Sequence, residues 1–204
     1  MAVAAENRSA RKTKHQIRTE TTLRDLLDAA EKVFVREGFE RAQIESIAAE
    51  MGRTKGSVYA HFKNKEDLFI AFLESRARIR IESAKAALAG LSPQRQRETL
   101  RERFMDAASD EQWCILLLEF KLFALRNTTS MERVKELYKL LSADIGQLFQ
   151  AAGQRRKKDV DFAAAMIRGI PSALILERQF DHLLQNHDAT SKALGDIFDS
   201  IFPE

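Results

Sequence analysis

Little in this chain could tie it together covalently or hold a metal. Its 204 residues contain one cysteine, Cys114, which excludes an intramolecular disulfide and fits a reducing, cytoplasmic setting. Cys114 stands in an apolar run with no histidine close in sequence, so a small buried hydrophobe describes it better than a catalytic thiol. The four histidines, His15, His61, His182 and His187, lack metal-ligand spacing, so no metal is expected. Asp181, His182 and His187 lie close together, but an exposed helix end accounts for them. A Gly-rich phosphate loop, a serine nucleophile elbow and a Rossmann fingerprint are all missing, so neither an enzyme nor a cofactor is expected. The longest uncharged run, Ile145 to Gln154, has ten residues and is too short to span a bilayer. No apolar segment precedes the N-terminal basic cluster, so a secretory signal is not expected either.

What is present favours helix. Hydrophobic residues make up 45% and charged residues 31%, with three prolines and eight glycines, which suits an all-α globular fold able to bury a real core. Net charge is +3 and unevenly placed. Residues 1–65 hold 13 Lys and Arg against 9 Asp and Glu, a net of +4, and residues 66–204 hold 20 against 21, a net of −1. A basic N-terminal portion is the electrostatic footprint that a phosphate backbone requires.

Residues 1–19 are polar and basic and predict a flexible arm, either a solvated terminus or a segment that follows DNA. Leu23, Leu26, Leu27, Ala30 and Phe34 predict a first helix over about 21–37, ended by Gly38, with Phe39 turning back to the core. Ile44, Ile47, Ala48 and Met51 make one face of a second helix, and Gly52 stops it. Thr54 is placed to cap a third helix with its hydroxyl. There Val58 and Phe62 pack back on Ile47 and Met51, leaving Arg53, Thr54, Lys55, Ser57, Tyr59 and His61 outside. Two caps so close force the helices to meet steeply, as in a helix-turn-helix, whose second helix offers its first turn to the major groove.

The run from Gly52 to Leu68, GRTKGSVYAHFKNKEDL, resembles the signature of the tetracycline-repressor (TetR) family of bacterial transcription regulators. The match is dense and ungapped. The resemblance implies an N-terminal three-helix DNA-binding domain (20–66), then a helical ligand-binding and dimerisation domain (67–204), about nine helices in all. It implies phosphate contacts from Tyr59, His61 and Lys65, and base-edge contacts from Arg53, Lys55 and Ser57, with Thr54 and Gly56 in the same surface. Gln43 belongs to this set by position, although the family usually has Thr or Ser capping helix 2 near Ala42-Gln43. That departure removes a phosphate contact and a cap worth about 1 kcal/mol.

The remaining helices follow from their punctuation. Asn64 caps a helix of about 25 residues that meets no breaker before Gly90, and Ser92-Pro93 opens the next. Glu111 to Arg126 is apolar nearly all round and therefore central. Thr129 with Glu132 predicts a capping box for a helix reaching Gly153. Arg155-Arg156-Lys157-Lys158 predicts a solvated basic loop. Two C-terminal helices follow, over about 159–184, kinked at Gly169 and Pro171, and about 190–202.

In a family of this kind the large residues of the second domain imply a cavity for a small apolar or aromatic effector. Phe72, Phe104, Trp113, Leu116, Glu119, Phe120, Phe123 and Met166 are its expected lining. Glu119, in an otherwise apolar stretch, either pairs internally with Arg126, Arg168 or Arg178 or recognises a ligand cation or hydroxyl. A homodimer is expected through Phe162, Met166, Ile170, Leu174, Phe180, Leu194, Ile197, Phe198 and Ile201. The expected function is a repressor released from double-stranded operator DNA by the effector, without membrane partners. The alternative is a structural protein that binds DNA without sequence preference or effector.

Overall fold

The computed structural model describes residues 14–107, 109–151 and 157–202. The expected arm therefore lies outside the described residues as far as residue 13, and residues 14–19 already belong to a helix. Arg155 and Arg156 of the expected basic loop also lie outside the described residues, and Lys157 and Lys158 open a helix. Among the described residues there are nine α-helices, one 3-10 turn and no strand.

Helix α1 (Lys14–Arg41) buries Leu26, Ala29, Ala30, Val33 and Phe34, an unbroken i, i+3, i+4 stripe. Gly38 interrupts it with φ 76 and ψ 166. That left-handed residue turns Phe39 into the core, where it is fully buried. Helix α2 (Ile44–Glu50) and helix α3 (Lys55–Tyr59) are joined through Gly52, whose φ is 62. Val58 seals α3 onto the core with no exposed surface.

Helix α4 (Lys65–Leu88) begins at Asn64, whose side chain accepts the Asp67 N–H at 2.7 Å, and carries Glu66 and Asp67 in its first turn. Its 24 residues reach about 36 Å at 1.5 Å per residue. Helix α5 (Pro93–Asp106) starts at the cap Ser92 with proline in its first turn. Helix α6 (Glu111–Arg126) is capped by Asp110. Helix α7 (Thr128–Ala151) opens one residue before the expected capping box, because Asn127 accepts the Ser130 N–H at 3.0 Å. Asparagine is at least as good a cap as threonine.

Helix α8 (Lys157–Arg178) holds Gly169 and Pro171 inside one continuous helix and ends earlier than expected. Tight bonds from Gln179 N–H to Leu176 O and from Phe180 N–H to Glu177 O close it before the short turn His182–Leu184. Helix α9 (His187–Ile201) is capped by Asn186.

Helices α1 to α4 pack together; α6 packs on α1, α7 and α8, and α5 packs on α9. Phenylalanines organise two seams. Phe34 and Phe39 of α1, Phe69 of α4 and Phe120 of α6 meet ring to ring, with the Phe69–Phe120 and Phe39–Phe120 centroids 4.4 and 4.9 Å apart. Phe104, Phe149, Phe198 and Phe202 make the second seam, joining α5, α7 and α9. Arg97 locks it by donating to the Phe202 carbonyl at 2.7 Å and to Asp199 at 2.8 Å.

Candidate nucleic-acid interface and cavity

The outer face of α2 and α3 is polar because Ile47, Ala48 and Val58 face inward. Gln43, Arg53, Thr54, Lys55, Gly56, Tyr59 and His61 are exposed, and Ser57 is half-buried. Thr54 makes no side-chain cap bond, contrary to expectation. The Ser57 hydroxyl instead donates to the Thr54 carbonyl at 2.5 Å, so local geometry is set from within the turn. Gln43 likewise makes no cap bond, as the missing Thr or Ser implied. Lys55 forms an ion pair with Glu45 and stands 5.5 Å from the Tyr59 ring centre. Bonding to Glu45 pushes the Lys55 ammonium up and the carboxylate down.

Lys65 corrects the expected contact list. Its ammonium donates to the carbonyls of Phe39 and Glu40 at 2.8 Å and of Ala42 at 3.0 Å, and lies 4.8 Å from the Phe39 ring centre. It closes the C-terminal turn of α1 from α4 rather than facing outward, and burial pushes its pKa down. Lys63 is exposed just before α4 and was not selected from sequence. Nothing in a single sequence separates it from Lys65, two positions away.

A cavity of about 820 Å³ lies between α4, α5, α6, α7 and α8. Two expected lining residues, Phe104 and Trp113, belong to it. Phe72, Leu116 and Met166 do not; their neighbours Leu73, Leu117 and Ile167 line it instead. One residue is about 100° of helix, and helices apolar on several faces carry no periodicity that fixes the rotation. Phe120 and Phe123 are committed to the aromatic seam with Phe39.

Glu119 is also absent from the lining, and no bond joins it to Arg126, Arg168 or Arg178 among the described residues. It accepts the Phe39 N–H at 2.8 Å. A Cβ at Gly38 would stand 2.9 Å from its Oε2. Gly38 is thus required by its backbone angle, and a Cβ there would also have to displace the carboxylate that bonds the Phe39 N–H. Glu119 spans the joint between α1 and α6. Arg178 pairs with Glu111 instead.

The cavity wall is mostly apolar with a few polar groups. Asp110 binds Arg76 at 3.0 Å and also Arg80, and both guanidiniums lie over Trp113. Burial pushes Arg80 down and the Cys114 thiol up. On the α7–α8 wall Tyr138 carries Arg168 over its ring at 5.1 Å. Burial pushes Tyr138 up to about 12 and Arg168 down.

Two of the expected interface residues are core instead. Leu194 and Phe198 are 0% and 1% exposed and pack inside their own chain, because α9 lies on α5. Ile197 and Ile201 are half-buried against the same core. On α8, Phe162 is 61% exposed and Leu176 is exposed as well, and Phe180, in the turn after the helix, is 81% exposed; Met166, Ile170 and Leu174 are half-buried.

Two short helices joined through Gly52, with an exposed polar first turn and set on a helical body with a cavity, make the arrangement of a helix-turn-helix transcription regulator. Residues 26–72 match the family described as bacterial regulatory proteins, tetR family. It is 26% identical over 166 residues to the nicotine-responsive transcriptional repressor HdnoR of Paenarthrobacter nicotinovorans, covering 79% of this chain and 81% of that one. It is 28% identical over 99 residues to the transcriptional regulator YwcC of Bacillus subtilis, covering 48% and 42%. The fatty acid metabolism regulator of Bacillus subtilis is 35% identical over 51 residues, 25% of this chain and 26% of that one. The chain thus spans less than half the length of the last two relatives.

Among solved structures, the fold is shared with FadR of Bacillus subtilis in complex with stearoyl-CoA (TM-score 0.60, 21% identity, 84% and 96% covered). It is shared also with a Saccharomonospora viridis regulator in complex with choline (TM-score 0.67, 18% identity, 88% and 96% covered).

Proposed function

We propose that this protein is a homodimeric repressor that leaves its operator when a small, largely apolar or aromatic effector enters the cavity. The observation that carries this reading is the double membership of α4. Phe69 and Phe72 of its first turns sit in the aromatic seam beneath the helix-turn-helix, while Ala77, Ile81 and Ala84 line the cavity. A structural DNA-binding protein without an effector has no use for such a cavity.

On DNA, Arg53, Lys55 and Ser57 reach toward base edges, and Tyr59, His61 and Lys63 toward phosphates, with Gln43, Thr54 and Gly56 at the margin. Lys55 exchanges Glu45 for the nucleic acid. Two copies meet along α8 and the turn that follows it, through Phe162, Met166 and Leu176 of the helix and Phe180 of the turn, apolar residues that are exposed to half-buried. Such a two-fold pairing sets the two α3 helices about 34–36 Å apart, one DNA turn.

Effector binding reaches the DNA-binding domain by two routes. One is the stiff α4 helix. The other is α6, which lines the cavity with Trp113 and Leu117 and holds Phe39 through Glu119. For release, the effector must prefer the spread state, with coupling of about 1–3 kcal/mol. The test is binding of the purified protein to the DNA upstream of its own gene, against random DNA, with Leu176→Asp as the dimer variant. Selective binding by the dimer, lost in the monomeric variant, is expected; equal affinity for random DNA refutes the reading.

A further inference from the structure

We propose that the effector is an amphipathic anion: its apolar body fills the cavity, and its carboxylate-like head takes hydrogen bonds from Arg168 Nε and Tyr138 Oη. This rests on the cavity being the effector site. The Arg168 Nε and the Tyr138 hydroxyl are buried, and no protein group bonds either of them. Both side chains line the cavity. An arginine N–H can only donate, so the missing partner is an acceptor. Burial keeps the tyrosine protonated to about pH 12, leaving its O–H available as a second donor.

Charge points the same way. Arg168 has one protein bond, from Nη1 to the Ser142 hydroxyl at 2.8 Å. Among the described residues no carboxylate lies within ion-pair distance of it. Lys121 stands 5.8 Å from the centre of the same Tyr138 ring, and Arg168 pushes its pKa down further after burial. Two partly buried cations on one phenol ring are therefore without a counter-charge within ion-pair distance among the described residues.

The other cations of the wall are provided for. Arg80 has Asp110, and Arg103 donates to the Ser83 carbonyl and hydroxyl at 3.1 and 3.2 Å. The acids of the wall offer no rival head-group site: Asp110 is taken by Arg76 and Arg80, and Glu102 and Asp106 are exposed. A cationic head beside Arg168 would add a third like charge in a desolvated place, and a neutral one would leave the charge uncompensated. The stearoyl-CoA and choline held by the two structural relatives differ in charge, so the fold leaves the sign of the head group open and the side chains decide it.

The test uses the full chain and three probes of one length: decanoate, decan-1-ol and decylammonium, each below its micellar range, in calorimetric titrations. Decanoate is expected to bind about tenfold more tightly than either of the others. Arg168→Met should bring decanoate down to the level of decanol while leaving decanol unchanged. Tyr138→Phe should cost decanoate a smaller factor, with the fold checked by circular dichroism. Equal or tighter binding of decanol or decylammonium overturns the inference, as does an undiminished decanoate preference in Arg168→Met or no decanoate binding at about 1 mM. Operator release is read in parallel. Decanoate preference without release would uphold the anion site and refute the effector function, and release by decylammonium alone would do the reverse.

Discussion

Lys55 and Arg168 are both cations at candidate binding sites, and their surroundings differ in a way that separates the two functions. Lys55 is exposed, holds a replaceable carboxylate, and acts in high dielectric where an ion pair is cheap to exchange. Arg168 is largely removed from water and has a hydroxyl where an ion should be. A surface cation of the first kind suits a partner that comes and goes with salt, as DNA does. A buried cation of the second kind discriminates, because a wrong partner leaves it unpaired. Lys65 and Arg97 form a third group, in which each charge is spent on backbone carbonyls of its own chain.

This sorting can be broken by substitution. Arg97→Met should have the largest effect, about 3 kcal/mol of stability, because it frees the Phe202 carbonyl and Asp199 together; a urea midpoint close to that of the parent protein would remove Arg97 from the structural group. Lys65→Met should cost about 2 kcal/mol for three lost carbonyl bonds. The slope of operator affinity against salt should stay the same, and a slope lowered by one unit would return Lys65 to the DNA contacts. Lys55→Ala should do the opposite, leaving the midpoint in place while weakening operator binding about tenfold and lowering the slope by about one; chemical denaturation and a salt series on the same preparations decide this. Arg168→Leu should have the smallest effect and the opposite sign, a gain of up to about 1 kcal/mol in the effector-free protein, since a desolvated charge without a counter-ion gives way to an apolar side chain. A loss of stability there would mean that Ser142 and the Tyr138 ring already satisfy the guanidinium.

The helix order and the exposed polar face of α2 and α3 were legible because caps, glycines and the i, i+3, i+4 spacing act over a few residues. Gly38, Gly52, Asn64 and Ser92 punctuate the chain where their backbone angles and cap bonds require. The cavity was legible only in part. Phe104 and Trp113 are large and line it, but Phe72, Leu116 and Met166 miss by one position, since nothing local fixes the rotation of a helix apolar on several faces. Glu119 was recognised as an isolated carboxylate, yet its partner is a main-chain N–H 80 positions away. No side-chain pattern signals a backbone donor. The same blindness assigned Lys65 to DNA, because its three acceptors are carbonyls and carbonyls have no sequence signature. Leu194 and Phe198 were assigned to an interface because an amphipathic C-terminal helix shows that it has an apolar face, not which neighbour covers it.

Cys114 gives the cavity a chemical handle. It is the chain's sole thiol, it lines the cavity, and burial holds it in the unreactive protonated form. Alkylation by a small reagent such as iodoacetamide therefore yields one product at one place, at a rate set by how often the helices part. A molecule resting against Trp113 and Leu117 shields that sulfur. Mass spectrometry of the intact chain then counts shielded and labelled molecules directly, so occupancy can be followed in a crude mixture of metabolites before any of them has been identified.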